Sequence, residues 1–135
     1  MPNIATYNAK DCSIIVEDVH LTGLGEDMVS VSKQEAFFET SVGAQGDIVK
    51  SEVNNSLYDI EITVQVTSPQ MPFLLELKNR TEPFQVWVIN KKLGIRAGGT
   101  KANIAEMPEI SLGATAEDVS ITFTVFDGDI QPVTE

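Results

Sequence analysis

The chain has 135 residues, and its 20 acidic residues against 9 basic ones give it a formal net charge of −11. This length fits one domain with a single hydrophobic core, and no apolar run approaches the roughly 20 residues that a membrane helix needs. Because binding to a nucleic-acid backbone is supplied by clustered Lys and Arg, the acidity argues against a nucleic-acid-binding protein.

Strand-like runs dominate the first part of the chain. CSIIV (12–16) and residues 19–22 flank a two-residue acidic turn, which predicts a tight hairpin. GLGED (23–27) is predicted to be a loop, and residues 29–38 are predicted to form a strand. Cys12 is the only cysteine, so an intrachain disulfide is excluded, and its position at the start of a strand predicts a small buried side chain.

Residues 41–57 differ from their surroundings because they are polar. They contain two glycines, the pair Asn54-Asn55 and only a weak strand pattern at 48–53. A polar segment of this length inside a compact domain predicts a long hairpin arm or an extended loop that lies outside the core.

The clearest pattern in the chain is YDIEITVQVT (58–67). Apolar residues alternate with polar ones at a period of two, which predicts a β-strand with one buried and one solvated face. The solvated face carries two carboxylates and no positive charge. Such a face could simply be hydrated, could bind a ligand, or could line a channel that repels what passes through it.

The second half of the chain gives helix, strand and loop signals in turn. Residues 70–80, QMPFLLELKNR, follow a Ser-Pro pair and predict one short amphipathic helix. FQVWVIN (84–90) predicts a strand that is buried on both faces. The glycine-rich segment 93–118 is predicted to be a loop with a short strand near 104–110. A last strand is predicted at 119–127, before a frayed tail.

The order of these elements favours one fold class. Six or more short strands accompany a single helix, and strands do not alternate with helices. The sequence therefore predicts a mainly β protein, an antiparallel β-sandwich or barrel with one flanking short α-helix. The prediction places a single domain over residues 1–135.

The sequence contains no motif that specifies a catalyst. His20 is the single histidine and has no cysteine partner for a zinc site. Carboxylate pairs are frequent, but an acidic chain has many of them by abundance. FDGDI (126–130) lacks the further acids of a calcium loop, and AGGTKAN (97–103) lacks the order of residues in a phosphate-binding loop. We predict a protein that is not an enzyme, with no catalytic residue, no cofactor and no metal site.

Three segments carry a resemblance to a known family. They are YNAKDCSIIVEDVHLTGLGEDM (7–28), SVGAQGDIVKSEVNNSLYDIEITVQVTSPQ (41–70) and RTEPFQVWVINKKLGIRAGGTKANIAEMPEI (80–110). The chain resembles the small tail-tube proteins of contractile-tailed bacteriophages and related phage-derived particles over about residues 7–127. GAQGD (43–47) contributes much of the likeness, as do the Asn pair before the amphipathic strand and V-T-S-P before the helix.

The resemblance implies a subunit that forms hexameric rings, which stack into a tube inside a contractile sheath. Neighbouring sheets join into one barrel around a lumen, through which genomic DNA passes without specific binding. The implied partners are further copies of the chain and the sheath, baseplate and tape-measure proteins, with no membrane. The implied location is the virion tail, after synthesis in the cytoplasm of the bacterial host.

The resemblance also suggests roles for two sets of residues. The polar face of the 58–67 strand becomes a candidate lumen lining: Asp59, Glu61, Thr63 and Gln65. The polar segment becomes a candidate inter-ring contact arm: Gly43, Gln45, Gly46, Asp47, Lys50, Asn54 and Asn55. The polar residues of the last strand are a second candidate lining: Ser120, Thr122 and Thr124. Simple hydration of a two-layer sandwich is the alternative for either face.

Two other functions remain open from the sequence. The chain could be the tube subunit of a phage-derived contractile bacteriocin or secretion system, in which the lumen carries protein or nothing. It could instead be a soluble β-barrel that binds a small ligand, which predicts a stable monomer with an apolar internal cavity. The tube subunits predict rings or tubes that form with rising concentration.

Overall fold

The computed structural model describes residues 4–106 and 110–133. Within these ranges the chain forms ten strands, one α-helix and a short 3-10 turn at Ala9–Asp11. The strands before the helix are β1 (Cys12–Val16), β2 (Val19–His20), β3 (Leu24–Lys33), β4 (Phe38–Val42), β5 (Ile48–Glu52) and β6 (Tyr58–Gln65). The helix is α1 (Met71–Leu77), and the strands after it are β7 (Phe84–Asn90), β8 (Ile95–Glu106), β9 (Asp118–Val125) and β10 (Asp129–Pro132). No helix in the described ranges has the length and apolar character needed to cross a membrane.

Eight of the strands belong to one antiparallel sheet. Seven of them follow the order β2-β1-β7-β8-β9-β6-β3, and β10 also pairs with β8. Val125 pairs with Ala102, and Asp129 pairs with Gly98, so β9 and β10 run along β8 in a single register. They are two segments of one strand, interrupted between residues 125 and 129. The remaining strands, β4 and β5, form a separate two-stranded sheet.

One hydrophobic core lies on the inner face of the large sheet. Strands near both ends of the sheet order contribute to it, which means that the sheet curls around its own core. The helix packs into the same cluster through Leu74 and Leu77, and Phe84 meets Phe123 edge to face at 6.0 Å between ring centroids. The predicted fold class is confirmed: the chain is mainly β and antiparallel, with one short helix.

The prediction of a loop at 23–27 was wrong. Most of that segment belongs to β3, which pairs with β6 but contains a bulge between Leu24 and Val29. The bulge residues Glu26 and Asp27 are exposed, so the alternation that would have indicated a strand is missing there. The predicted strand at 29–38 is also divided, because β3 ends at Lys33 and β4 begins after a break.

The glycine-rich loop and the frayed tail were also predicted incorrectly. Residues 95–106 form β8, the longest strand, and residues 129–132 pair with it as β10. The glycines serve close packing: Gly98 has φ +127°, and a Cβ there would overlap the Val86 carbonyl oxygen. The predicted strand near 104–110 falls partly in β8, and its residues 107–109 lie outside the described ranges.

The strand at 84–90 is buried on one face instead of two. Phe84, Val86 and Val88 point into the core, whereas Gln85 is exposed and Trp87 is half-buried. A continuous apolar run suggested a strand that is covered on both sides. In the described part of the chain, its outer side remains open, which leaves an indole at the surface.

Candidate functional site: an acidic sheet face and a projecting hairpin

The polar residues of β6 and β9 form a continuous surface on the outer side of the sheet. We call it the acidic face and define it by Asp59, Glu61, Thr63, Gln65, Asp118, Ser120, Thr122 and Thr124. Register places these residues side by side across strands, in rows such as Ser32–Asp59–Thr124 and Ser30–Glu61–Thr122. Neither β6 nor β9 contains a Lys or Arg. The two candidate lining strands of the sequence prediction are therefore one surface.

Hydrogen bonds fix part of the acidic face. The Asp59 carboxylate accepts a hydrogen bond from Gln34 Nε2 at 2.9 Å and another from the Thr124 hydroxyl at 3.3 Å. The hydroxyls of Thr63 and Ser120 lie 3.0 Å apart across β6 and β9. The Asp59–Thr124 and Thr63–Ser120 contacts join the neighbouring strands β6 and β9, so they hold these polar side chains in a defined array.

The four predicted lining residues are not equally accessible. Glu61 and Gln65 are exposed and Asp59 is half-buried, but Thr63 is only 7% exposed. Gly25, in the β3 bulge, lies against Thr63 and Asp118, where an added Cβ would overlap both side chains. Thr63 thus shares the face with the other three but is covered by the chain itself.

The β4–β5 hairpin, residues 38–52, projects from the large sheet. Within the described residues these two strands pair only with each other, and all ten of their side chains are exposed. The tip is closed by hydrogen bonds from Gly43 N–H to the Asp47 carbonyl at 2.8 Å and from Gly46 N–H to the Gly43 carbonyl at 3.0 Å. The predicted polar segment at 41–57 is therefore a hairpin arm, although the arm begins three residues earlier.

The seven predicted arm residues occupy two parts of this structure. Gly43, Gln45, Gly46 and Asp47 form the tip, Lys50 lies in β5, and the two asparagines follow the hairpin at its base. Lys33 Nζ donates to the Asn55 carbonyl at 2.7 Å, and Leu57 N–H donates to the Asn55 side chain at 2.9 Å. Val53 N–H donates to the Phe37 carbonyl at 2.9 Å. The base is thereby fixed to the body, while the tip is free of it.

The hairpin also carries apolar residues that the sequence interpretation overlooked, since it described this segment as polar. The large apolar side chains at and beside the hairpin are strongly exposed: Phe37 70%, Phe38 46%, Val42 68%, Ile48 69% and Val49 58%. Lys50 Nζ lies 4.8 Å from the centroid of the Phe38 ring. Phe38, Val42 and Ile48 share one face of the hairpin and Val49 lies on the other, so both faces expose apolar groups, as protein–protein interfaces do.

The structure shows where the residues considered for catalysis or metal binding lie and what they contact. His20 is exposed in β2, and no group of three or more His, Cys, Asp or Glu in the described ranges could hold a metal ion. Burial raises the pKa of the Cys12 thiol, which keeps it in its less reactive neutral form. The Asp127 carboxylate of the FDGDI segment accepts hydrogen bonds from the Thr100 hydroxyl at 2.5 Å and from Lys101 N–H at 3.0 Å.

These bonds explain the ionisation of Asp127. Partial burial by itself would raise its pKa, but the hydrogen bonds to Thr100 and to the Lys101 backbone outweigh burial and lower the pKa below its ordinary value. Asp127 lies in the segment between β9 and β10, and its carboxylate binds this segment to Thr100 and Lys101 of β8. Its role is therefore structural.

Comparison with known proteins gives matches in structure alone. No protein-family model matches the sequence, and no curated protein matches it. A chain in the cryo-EM structure of an extracellular contractile injection system, the PVC sheath/tube terminator in the extended state, is 13% identical with a TM-score of 0.69, covering 95% of this chain and 98% of that chain.

Two further structures give similar values. A chain of the PVC sheath-tube complex in the extended state is 16% identical with a TM-score of 0.68, covering 95% of this chain and 93% of that chain. A chain of the anti-feeding prophage cap, described as the AFP tube terminating cap, is 14% identical with a TM-score of 0.68, covering 98% and 95%. The fold is that of phage-type tail-tube proteins.

Proposed function

We propose that this chain is a structural subunit of a phage-type tail tube, which assembles as hexameric rings stacked around a negatively charged lumen. The observation that carries the proposal is the acidic face: two adjacent strands with no cation, on the outer side of a sheet with a tail-tube fold. The role is structural and requires no catalytic group.

The charge of the acidic face suits the passage of a polyanion. Asp59 and Glu61 repel phosphates, so DNA would pass without the adsorption that a basic wall causes. Six copies carry a formal net charge of about −66, part of which lies elsewhere on the surface. In this arrangement Asp59, Glu61 and Gln65 line the lumen, and Thr63 lies just beneath them.

The β4–β5 hairpin supplies the contact between rings. Its exposed apolar groups gain stability when a neighbouring subunit covers them, and its free backbone edges can be paired in an assembly. The tip residues Gly43, Gln45, Gly46 and Asp47 reach furthest from the fixed base. We expect the sheath, baseplate and tape-measure proteins to be the other partners of such a tube.

A second candidate has specific support. The named structural neighbours belong to an extracellular contractile injection system and to an anti-feeding prophage. Their descriptions favour a tube subunit of a phage-derived particle over one of an infectious virus. The small-ligand module is less well supported, because side chains under 2% exposed, such as Phe123 and Leu74, fill the space inside the sheet.

The experiment combines assembly with a test of the lumen. Negative-stain microscopy of concentrated protein should show rings or hollow tubes. The variant Asp59→Lys/Glu61→Lys should still form tubes, and these should protect a short DNA duplex from nuclease when assembled with it. The matched control, Asp18→Lys/Glu76→Lys, changes the charge equally at exposed positions in the β1–β2 turn and on the helix, away from the acidic face.

The possible results separate the two parts of the proposal. Nuclease protection only in the Asp59/Glu61 variant, lost at high salt, supports an acidic lumen. Equal protection in both variants contradicts the lumen assignment. A monodisperse monomer at high concentration contradicts the tube itself.

A further inference from the structure

A second surface on the outer side of the sheet has the opposite charge. A groove there is lined by Trp87, Ile89, Lys91, Arg96 and Val133. We call it the cationic groove. Its floor is apolar, both charged side chains in its lining are cations, and it lies on the β7–β8 part of the sheet, away from the acidic face on β6 and β9.

The indole at the centre of the cationic groove is held in place. The Arg96 guanidinium carbon lies 4.2 Å from the centroid of the Trp87 ring, and Trp87 Nε1 donates a hydrogen bond to Gln85 Oε1 at 3.1 Å. Register pairs Trp87 with Gly98 and Ile89 with Arg96. Because the residue opposite the indole is a glycine, the β8 side chain that lies over the ring is that of Arg96, which stacks on one face of it.

Arg96 is available to an external carboxylate. Two acids, Asp127 and Asp129, border the neighbouring depression on its other side. Asp127 is bound by the Thr100 hydroxyl, and Asp129 accepts hydrogen bonds from its own neighbours, Ile130 N–H at 2.9 Å and Gln131 Nε2 at 2.8 Å. Neither carboxylate forms an ion pair with Arg96, since both ion pairs found in the described residues involve other groups.

The cationic groove continues across the sheet. Ile89 and Lys91 also border a second depression, which reaches Ile15 and Ser13 on β1, His20 on β2 and Asp11 just before β1. Asp11 forms an ion pair with Lys92 at 3.8 Å. A stripe of mixed apolar and polar side chains therefore crosses β8, β7 and β1. An elongated occupant that lies across the strands fits this shape better than a compact molecule does.

Charge indicates the kind of occupant. Lys91 and Arg96 line the cationic groove together with Trp87, Ile89 and Val133, and its lining contains no acid, although the chain has a net charge of −11. A groove with two cations and an apolar floor complements a segment with the opposite charge and an apolar side. We propose that the cationic groove docks an acidic amphipathic segment of a different protein. Apolar side chains of that segment pack on Trp87 and Ile89, and its carboxylates pair with Lys91 and Arg96.

This inference stands independently of the tube proposal, because it rests on the free chain's own surface. In the sheet order, β6 and β9 are separated from β7 and β1 by β8. If the acidic face lines a lumen, the cationic groove belongs to a different part of the subunit surface.

A binding experiment with defined peptides tests the inference. The probe is a labelled 18-residue helical peptide with leucines on one face and glutamates on the other. Its comparators are a scrambled peptide of the same composition and a peptide with lysine in place of glutamate. Trp87 is the only tryptophan, so its emission reports on the groove itself, while the anisotropy of the label measures affinity.

The variants identify the site of binding. Lys91→Gln/Arg96→Gln should weaken binding of the acidic peptide at least tenfold, and Lys50→Gln/Lys78→Gln, which removes the same charge at exposed positions outside the groove, should change affinity less than twofold. We expect saturable binding of the acidic helix with a shift in Trp87 emission, and weaker binding at high salt.

Three outcomes would overturn the inference. Equal binding of the lysine peptide or the scrambled peptide would remove the basis in charge and shape. Unchanged affinity in the Lys91/Arg96 variant would place the binding elsewhere. If dilution of the protein alone shifts the Trp87 emission, and sedimentation shows a dimer that the Arg96 change abolishes, the occupant is a second copy of this chain.

Discussion

Removal of the β4–β5 hairpin should separate folding from assembly. Val53 N–H donates to the Phe37 carbonyl at 2.9 Å at the base of the hairpin. A β-turn is closed by the same kind of hydrogen bond, from the N–H of its fourth residue to the carbonyl of its first. Replacing residues 38–52 with Asn-Gly therefore joins Phe37 to Val53 through a two-residue hairpin loop, a sequence that favours the tight turn. The change requires no movement of the large sheet.

The expected effect on stability is small. None of the strand residues removed is buried, and the Lys50–Phe38 contact that is lost is an exposed cation–π pair of about 0.5–1 kcal/mol. Replacing fifteen residues with two shortens the loop by almost three halvings, and at about 0.6 kcal/mol each this stabilises the folded state by about 1.7 kcal/mol. We expect the free energy of unfolding to rise by about 1 kcal/mol, whereas Ile62→Ala, at a residue with no exposure, should lower it by about 2–5 kcal/mol.

Urea unfolding followed by Trp87 fluorescence measures the first effect, and electron microscopy of concentrated protein measures the second. The shortened chain should unfold near the wild-type midpoint but form no stacked tubes. A loss above about 2 kcal/mol would show that the hairpin packs on the body, contrary to the exposure of its residues. Tubes of normal length would refute the assignment of the hairpin to the contact between rings.

Two further predictions concern the sheet. Asp127→Asn should cost under about 1 kcal/mol at neutral pH, because the variant loses the charged hydrogen bonds from Thr100 and the neighbouring backbone while water screens this exposed carboxylate. The wild-type protein should keep this stabilisation at pH values above the ordinary pKa range of Asp and lose it as the pH falls through the lowered pKa of Asp127. Between pH 7 and pH 2, the urea midpoint of the variant should therefore decrease less than that of the wild type. Parallel curves of midpoint against pH would contradict this. Gly98→Ala should lower the free energy of unfolding by more than about 2 kcal/mol, because φ is +127° and the added Cβ overlaps the Val86 carbonyl oxygen. Gly113→Ala, at a position with open space around it, should lower it by under about 0.5 kcal/mol. Thermal unfolding compares the two variants, and similar melting temperatures would contradict the prediction.

Local alternation predicted the strands that carry the acidic face. In β6 and β9 the period of two is uninterrupted, and every inward residue is under 5% exposed. The outward positions of the carboxylates followed directly, because side chains alternate across a strand. The coverage of Thr63 could not follow, since it depends on Gly25 in another strand.

Segments whose role depends on distant partners were harder to predict. The glycines of β8 resemble a loop in one dimension, and only pairing with β7 on one side and with β9 and β10 on the other makes them part of a strand. Trp87 and Arg96 are nine positions apart, and antiparallel pairing brings their side chains together. The apolar groups of the hairpin were overlooked because their neighbours in sequence are polar.

The alternation in β6 has a consequence for how such a protein can diverge. Even-numbered residues from Tyr58 to Val64 determine whether the chain folds, while the odd-numbered ones between them set the chemistry of the acidic face. Natural selection on folding and selection on surface chemistry therefore act on different, alternating residues of the same strand. A lineage can change Asp59, Glu61 and Gln65 by point mutations, and so alter the chemistry of this surface, without passing through an unfolded ancestor.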